Sequence, residues 1–176
     1  SYGHEQRILA SGGGALAFGN IINYGAGAMV ANLTASGYGS FAQGSVYGYA
    51  FTGSLGIISS GRGSFAQGYA RNAIITASGN GSFAQGAGYG YAITASANGA
   101  FAQGYAGAAA IVASALNAVQ FGPGTNTLAD SLKVGTAGIR FKGTTGAPAS
   151  PQNGDQWLDG AGNVVIRSGG VNVTIA

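Results

Sequence analysis

The stretch Thr-Ala-Ser-Gly-Asn-Gly-Ser-Phe-Ala-Gln-Gly at residues 76–86 decides how this chain folds, because close copies of it recur along the sequence. Its tetrapeptide Phe-Ala-Gln-Gly occurs four times in full and twice in degenerate form, at copies that begin with Leu16, Phe41, Phe65, Phe83, Phe101 and Val119. Counted along the chain, the steps between these copies are 25, 24, 18, 18 and 18. Fixed spacing of this kind is the signature of a repeat protein.

A second motif keeps the same phase. Residues 34–40 read Thr-Ala-Ser-Gly-Tyr-Gly-Ser, residues 76–82 repeat this with Asn in place of Tyr, and residues 94–100 are a close variant; each directly precedes a Phe-Ala-Gln-Gly copy. The longer unit reads as the shorter unit with six residues added, roughly at 53–58. Coincidence does not produce such a phase, so we interpret the repeat as structural.

Each unit contains two short strand-like pieces separated by glycine-containing turns, one around Phe-Ala-Gln and one around Ile74-Ile75-Thr76 or Ala92-Ile93-Thr94. A unit this short cannot fold alone, but it suits one coil of a β-solenoid, in which neighbouring coils hydrogen-bond to each other. Coils stack about 4.8 Å apart, so about six of them would make a stem on the order of 30 Å long. We therefore predict an all-β fold with a β-solenoid or β-roll stem of 18–24-residue repeats.

Strand alternation places the Phe and Gln of each Phe-Ala-Gln on one face and the Ala on the other. Stacking then predicts two structural ladders, formed by Phe41, Phe65, Phe83 and Phe101 and by Gln43, Gln67, Gln85 and Gln103. A Gln ladder on the apolar-facing side has to satisfy its amides with neighbours or water, and amides stacked in register do this for one another. An ion or ligand site along an axis is the alternative interpretation of the Gln ladder.

Composition narrows the class of protein. Gly supplies 35 of 176 residues without recurring at every third position, and 46% of the chain is apolar but only 6% charged, which fits neither collagen nor a disordered chain. The net charge of +3 is too sparse for a nucleic-acid surface, since only Arg62 and Arg71 are charged between Ile8 and Ala129. Cys is absent and no apolar run reaches the about 18 residues that cross a bilayer, so we expect no disulfide, no thiolate metal site and no membrane insertion.

The consensus Thr-Ala-Ser-Gly-x-Gly-Ser-Phe-Ala-Gln-Gly-x-Ala resembles the head repeats of YadA-like trimeric adhesins over about residues 14–122. This resemblance implies a β-roll in an intertwined homotrimer. Residues 117–135 are similar to the exit from such repeats in bacteriophage fibre proteins, and residues 146–160, which contain Gly154-Asp155-Gln156-Trp157, resemble the tips of phage structural proteins. The second resemblance implies a phage rather than a bacterial source.

The repeats stop after Gly122 and charged residues return. Residues 139–142 and 171–175 alternate like half-buried strands, and turns are expected at 159–163 and 168–170. We predict three parts: an N-terminal arm or connector over 1–13, the repeat stem over 14–122, and a small C-terminal β-meander that forms a tip over 123–176, completed by partner chains because it is too small for its own core.

Catalytic chemistry has few candidates. His4 is the only His and falls in the predicted arm, and Asp155 and Asp159, the only close pair of acids, fit turn capping better than a paired-carboxylate site. The Gly-rich stretches at 12–14 and 142–146 lack the Gly-Lys-Ser/Thr of a phosphate loop. We predict no enzymatic activity, no catalytic or metal site and no cofactor.

Tyr is the residue type that most suggests binding, because it recurs near the repeat corners and offers contact area plus a hydroxyl. Packing between coils or protomers is the alternative interpretation. The candidate receptor-binding residues are Tyr47, Tyr49, Tyr89, Tyr91, Trp157, Arg140 and Lys142.

These observations predict a structural fibre or adhesin segment of a phage virion, in the tail or the head, that is extracellular and attaches to a bacterial surface. Its expected partners are itself as a homotrimer, other virion proteins, and a glycan or protein of the bacterial surface. One alternative is a passenger fragment of a bacterial trimeric autotransporter adhesin on the cell surface. Another is an ice-binding solenoid, although Thr34, Thr76 and Thr94 supply at most one Thr per coil.

Overall fold

The computed structural model describes residues 4–24, 29–49, 53–135, 156–158 and 164–175, and in these ranges every regular element is a β-strand. The chain divides into two compact units, Ser1–Gly138 and Ile139–Ala176. The strands of the first unit are β1 His4–Ala10, β2 Leu16–Tyr24, β3 Met29–Ala35, β4 Phe41–Tyr49, β5 Gly53–Ser59, β6 Phe65–Arg71, β7 Ile74–Ala77, β8 Phe83–Tyr89, β9 Ile93–Ala95, β10 Phe101–Ala106, β11 Ile111–Ala113, β12 Val119–Phe121, β13 Gly124–Asn126 and β14 Leu132–Val134.

Successive strands of the first unit alternate between two parallel sheets of seven strands each. The odd-strand sheet has the order β1-β3-β5-β7-β9-β11-β13. The even-strand sheet has the order β2-β4-β6-β8-β10-β12-β14. Each odd strand and the even strand after it form one coil, so each coil pairs with the coils that precede and follow it. We call these coils the two-sheet stack; its architecture is consistent with the predicted β-solenoid.

The register between coils follows the repeat. Phe41 pairs with Phe65, Phe65 with Phe83 and Phe83 with Phe101, so each strand pairing joins residues that are one repeat step apart. The six extra residues of the long unit lie between Tyr47 and Gly56, which overlaps the predicted range 53–58 only in part. Tyr47 pairs with Arg71, and Gly56 pairs with Ile74. The chain needs nine residues to advance from 47 to 56, whereas the next coil needs three to advance from 71 to 74. The six additional residues therefore lie before Gly56.

The two-sheet stack is longer than the stem predicted over 14–122. Strand β1 pairs with β3 along its whole length, from His4 with Met29 to Ala10 with Ala35, so residues 4–10 belong to the odd-strand sheet and not to a separate arm. At the other end β13 and β14 add a coil beyond Gly122. This last coil lacks Phe-Ala-Gln-Gly, and its step from Val119 to Leu132 is shorter than any repeat step, which is why the repeat pattern does not reveal it.

The core between the sheets is thin, because large residues of one sheet face small residues of the other. The odd strands contribute a fully buried aliphatic ladder, and the even strands contribute buried alanines: Leu33, Ile57, Ile75, Ile93 and Ile111 against Ala42, Ala66, Ala84 and Ala102. Each buried Leu or Ile contributes about 2 kcal/mol from burial of apolar surface.

The Phe and Gln of each repeat point out of the two-sheet stack, and their side chains are half-buried. The expectation that the Gln ladder lies on the core-facing side is therefore wrong. Strand alternation shows that Phe and Gln are on the same face of the strand, but it does not show which face points to the core. In the coils that carry Phe-Ala-Gln, the Ile ladder of the opposite sheet already fills the inside, so the small side chain of Ala fits there.

Glycine is required at the fourth position of the repeat. Gly44, Gly68 and Gly86 have φ between 140° and 143°, a region that L-residues rarely adopt. A Cβ on Gly68 would lie 1.9 Å from the carbonyl oxygen of Gly86 in the next coil. Gly81 serves a different purpose at a corner, with φ 62° and open space around it, and Asn117 with φ 51° occupies the corresponding corner two coils later.

The second unit contains a three-stranded antiparallel sheet formed by β15 Gln156–Leu158, β16 Val164–Ser168 and β17 Val171–Ile175. Gly169 and Gly170, with φ 57° and 83°, form the two-residue turn between β16 and β17, and positive φ at both positions is the type I′ geometry that hairpins favour. This sheet agrees with the predicted β-meander. The strand predicted over 139–142 and the turn predicted over 159–163 lie outside the described residues.

Within the described ranges there is no helix long and apolar enough to span a membrane.

Candidate functional site

The outer face of the even-strand sheet carries rows of side chains that run from coil to coil. The first row is the Phe ladder, in which the rings of Phe41, Phe65, Phe83 and Phe101 stack with centroids 4.6, 4.8 and 4.8 Å apart and planes within 5° of parallel. Their spacing equals the distance between neighbouring strands, so the backbone register itself imposes the stacking. The row continues with Leu16 at one end and with Val119 and then Leu132 at the other, and both leucines are exposed.

The second row is the Gln ladder, two residues further along each strand. Each amide Nε2 donates to the Oε1 of the preceding coil at 2.8 Å, from Gln67 to Gln43, from Gln85 to Gln67 and from Gln103 to Gln85. The row ends where Phe18 pairs with Gln43 and Phe121 with Gln103. Stacked amides thus satisfy one another along the axis.

A shallow groove of about 570 Å³ follows the Gln ladder. It is lined by the four ladder glutamines and by the glycines that follow them, which are Gly44, Gly68, Gly86 and Gly104. Because these glycines have no side chains, backbone forms one side of the groove. The groove therefore offers a regular array of amide donors and acceptors to a molecule lying on it. We call this feature the Gln groove.

Tyrosines form a third row beside the groove, which we call the Tyr stripe. The ring centroids of Tyr47, Tyr69, Tyr89 and Tyr105 follow one another at 6.4, 5.5 and 5.3 Å. The guanidinium of Arg71 lies 5.7 Å from the ring centroid of Tyr47 and 5.9 Å from that of Tyr89, within cation–π range of both. Burial, and then the neighbouring Tyr89 hydroxyl, raise the pKa of Tyr69.

Two of the tyrosines chosen from the sequence, Tyr47 and Tyr89, lie in the Tyr stripe. Tyr49 is exposed at the end of β4, where its N–H donates to the side-chain oxygen of Asn72 at 3.0 Å, and Tyr91 is exposed beyond β8. Trp157 belongs to β15, and its side chain lies outside the described residues, as do Arg140 and Lys142.

Tyr69 and Tyr105 belong to the tyrosines that recur near the repeat corners, but they were not among the candidate receptor-binding residues, and neither was Arg71. Tyr69 and Tyr105 each stand two residues after the Gln of a repeat, so strand alternation puts them on the Gln face. That spacing was the signal that could have found them. Arg71 is four residues after Gln67 and follows the same rule.

Groups that could do acid–base chemistry are scattered in the described part of the chain. Glu5 and Arg7 form an exposed ion pair at 3.5 Å on β1, and Asp130 accepts a hydrogen bond from Asn117 at a corner. No three residues of the His, Cys, Asp and Glu types converge among the described residues. Asp155 and Asp159 lie outside them.

The threonines considered for ice binding lie on the outer face of the odd-strand sheet. Thr34 and Thr76 are separated by Ile58, which pairs with both, and Thr94 is followed by Val112. The row is therefore mixed and contains no continuous array of hydroxyls.

No family model, no curated protein and no solved structure matches this chain. The rows on the outer face of the even-strand sheet are accordingly the main guide to function.

Proposed function

We propose that the chain is a structural segment of a bacteriophage fibre, in the tail or the head of the virion, that contributes to attachment to a bacterial surface and performs no catalysis. The observation that carries this proposal is the stacking of equivalent residues in successive coils, seen in the parallel rings of Phe41, Phe65, Phe83 and Phe101. A β-solenoid built this way is a rod whose surface repeats along its length.

Rigidity supports a mechanical role. Strands of the middle coils pair on both sides, and side-chain hydrogen bonds and ring stacks connect the same coils a second time. Bending the rod would break many of these contacts together. Such a rod can hold a binding surface at a fixed distance from the body of a particle.

A homotrimer is the assembly that we propose, with copies in contact through the apolar edge of the even-strand sheet. This edge consists of the Phe ladder together with exposed residues at its ends and corners, namely Tyr38, Leu16, Leu116, Leu128 and Leu132. Exposed polar residues, Arg62, Asn80 and Asn98, separate Tyr38 from Leu116 in the corner row, so the continuous apolar part is the Phe ladder with the leucines at its ends. An exposed row of large apolar side chains marks a contact surface. Other virion proteins would bind the ends of the rod.

The mass of the purified chain, measured by light scattering, tests the assembly. We expect the mass of a trimer for the unchanged chain and a lower mass for the double variant Leu116→Ser with Leu128→Ser, which removes apolar contacts between copies. Both side chains are exposed, so their loss leaves the core intact. Tyr105→Ala is the matched control, since it removes an exposed ring from the opposite side of the Gln ladder and should leave the trimer unchanged. A stable monomer of the unchanged chain would contradict the trimer.

A passenger segment of a bacterial trimeric adhesin is the second candidate, because the same repeat pattern resembles the heads of those adhesins. Neighbouring genes separate the two: tail or baseplate genes favour the phage fibre, and a membrane-anchor segment favours the adhesin. Ice binding is disfavoured by the mixed Thr row, and a thermal-hysteresis measurement tests it directly.

A further inference from the structure

The Gln groove has hydrogen-bonding capacity that the ladder does not use. A side-chain amide has two N–H groups and two acceptor positions, and each internal Gln uses one of each, as Gln85 does with Gln67 and Gln103. One donor and one acceptor per coil therefore remain for a bound molecule. Strand pairing repeats this pair about every 4.8 Å along the groove.

A linear polymer with a similar repeat length can stay in phase with this array, and in a β-1,4-linked chain the substituents of every second ring face the same side. Sugars in an extended β-linked glycan advance by nearly one strand spacing per ring, whereas α-linked glycans of the amylose type curve away from a straight groove. An acetamido substituent carries one N–H and one C=O, which complements the free acceptor and donor of a Gln amide. Bare hydroxyl groups form such pairs with less geometric selectivity.

The Tyr stripe supplies the apolar contact that sugar rings need. Tyr69 stands two residues beyond Gln67 on β6, and Tyr105 two residues beyond Gln103 on β10, so both project from the face that bears the groove. Tyr105 is 60% exposed. Flat aromatic surfaces with a hydroxyl at the rim combine apolar contact with hydrogen bonding at low entropic cost.

Charge on this face favours a ligand without a dense row of anions. Arg71 is the only charged residue in strands β2 to β12 of the even-strand sheet. A polyanion such as a nucleic acid or a heavily sulfated chain needs several cations along its path. The arrangement suits a neutral glycan with at most an occasional acidic group opposite Arg71.

We propose that the Gln groove and the Tyr stripe together bind an extended β-linked glycan that carries acetamido groups, with the chain lying along the axis of the two-sheet stack. This inference rests on the proposed function, since it names the surface molecule that the fibre contacts. It needs the groove to stay open in the assembly, which contact between copies through the apolar edge allows.

Titration calorimetry of the assembled protein with three defined hexasaccharides tests the ligand class. The probes are β-1,4-linked N-acetylglucosamine, β-1,4-linked glucose, which has the same backbone without acetamido groups, and α-1,4-linked glucose. We expect binding of the first, binding about tenfold weaker for the second because one amide pair per site is lost, and none for the third. Equal binding of the two glucose polymers and the N-acetylated chain would overturn the proposal.

Variants locate the site. Gln85→Ala and Tyr105→Ala should each weaken binding of the N-acetylated hexasaccharide about tenfold. Thr94→Ala, on the outer face of the odd-strand sheet and outside both the Gln groove and the apolar edge, should leave it unchanged. Thermal melting checks that each variant is folded. If Gln85→Ala instead dissociates the trimer, a second copy occupies the groove and the proposal is wrong. If a folded trimer binds none of the three probes, the glycan inference fails while the fibre proposal stands.

Discussion

The middle of the two-sheet stack and its two ends share one backbone plan but use different side chains. In the middle, Ile75 and Ile93 are 0% exposed because coils cover them on both sides. Ile8 occupies the same inner row in the first coil, where it pairs with Leu33, yet it is 51% exposed. The comparison shows that a coil is stabilised by its neighbours more than by its own residues.

The last two coils bury polar residues at inner positions that hold apolar residues in the coil immediately before. Gln120 takes the inner position that Ala102 holds in the preceding coil, and its Nε2 donates to the carbonyl oxygen of Gly122 at 2.9 Å. Asn126 is also buried and donates to the carbonyl oxygens of Val119 and Ser131 at 2.9 and 3.1 Å. Buried amides that donate to backbone carbonyl oxygens close this end, whereas the first coil leaves aliphatic side chains exposed.

The largest effect is expected where coils approach most closely in the middle. Gly86→Ala would place a Cβ 1.9 Å from the carbonyl oxygen of Gly104 at φ 143°, so we expect a loss of at least about 3 kcal/mol of stability, measured by chemical denaturation. Gly81→Asn in the same coil is the control. Its φ of 62° and open surroundings suit Asn, so a change below about 1 kcal/mol is expected. Equal effects of the two substitutions would contradict the close approach.

The aliphatic inner row gives the second test. Ile93→Ala should cost about 3 kcal/mol because it leaves a cavity between two covering coils. Ile8→Ala removes the same atoms from a half-exposed position and should cost less than about 1 kcal/mol. Denaturation midpoints of the two variants compare middle and end directly. A similar cost at both positions would mean that another chain covers the first coil.

Two buried amides at the C-terminal end of the two-sheet stack, Gln120 and Asn126, should differ in how much each stabilises the fold. Asn126→Ala should cost about 2 kcal/mol, since it leaves the Leu128 N–H and the carbonyl oxygens of Val119 and Ser131 without their side-chain partner. Gln120→Leu should change stability by about 1 kcal/mol or less, because the buried Oε1 of Gln120 has no hydrogen-bond partner among the described residues and its removal offsets the lost donor. Thermal unfolding measures both. The reverse order of effects would show that Gln120 is the residue that closes the end.

The smallest effect concerns ionisation in the middle of the Tyr stripe. Burial raises the pKa of Tyr69, so its hydroxyl should lose its proton later than it does in the unfolded chain, and the folded protein should lose stability as the pH rises above the ordinary tyrosine pKa of about 10. Absorbance titration should show a late-ionising tyrosine. Tyr69→Phe should remove that component, and its persistence in this variant would assign it to another residue.

Much of the fold follows from the repeat. The period gives the parallel stacking, and the tetrapeptide gives the residues of the Phe and Gln ladders, because identical residues one period apart must meet when coils pair in register. Strand β1 was missed because only a degenerate copy of the second motif, Ala10-Ser11-Gly12-Gly13-Gly14, marks its end, and β14 was missed because its coil is shorter than the others. Pairing with an adjacent coil, and not local pattern, makes these segments strands.

The residues of the proposed binding face were only partly predictable, because side-chain contacts between coils do not follow the repeat rows. Tyr47 pairs with Arg71 and Tyr69 with Ser45, so the two tyrosines occupy different positions of their strands and no single repeat row contains both. They meet because the side chains of adjacent coils lean toward each other across the sheet. Arg71 lies between Tyr47 and Tyr89 in the strand register, and its guanidinium contacts both rings.

The sequence by itself determined the period, the need for glycine at the close approaches and the identity of the stacked residues, because these depend on spacing and on the size of single side chains. Only the tertiary structure decided which face of each strand is inside, where the six extra residues lie and how each end is closed. Those features depend on the opposite sheet and on the neighbouring coil, and a linear pattern contains neither.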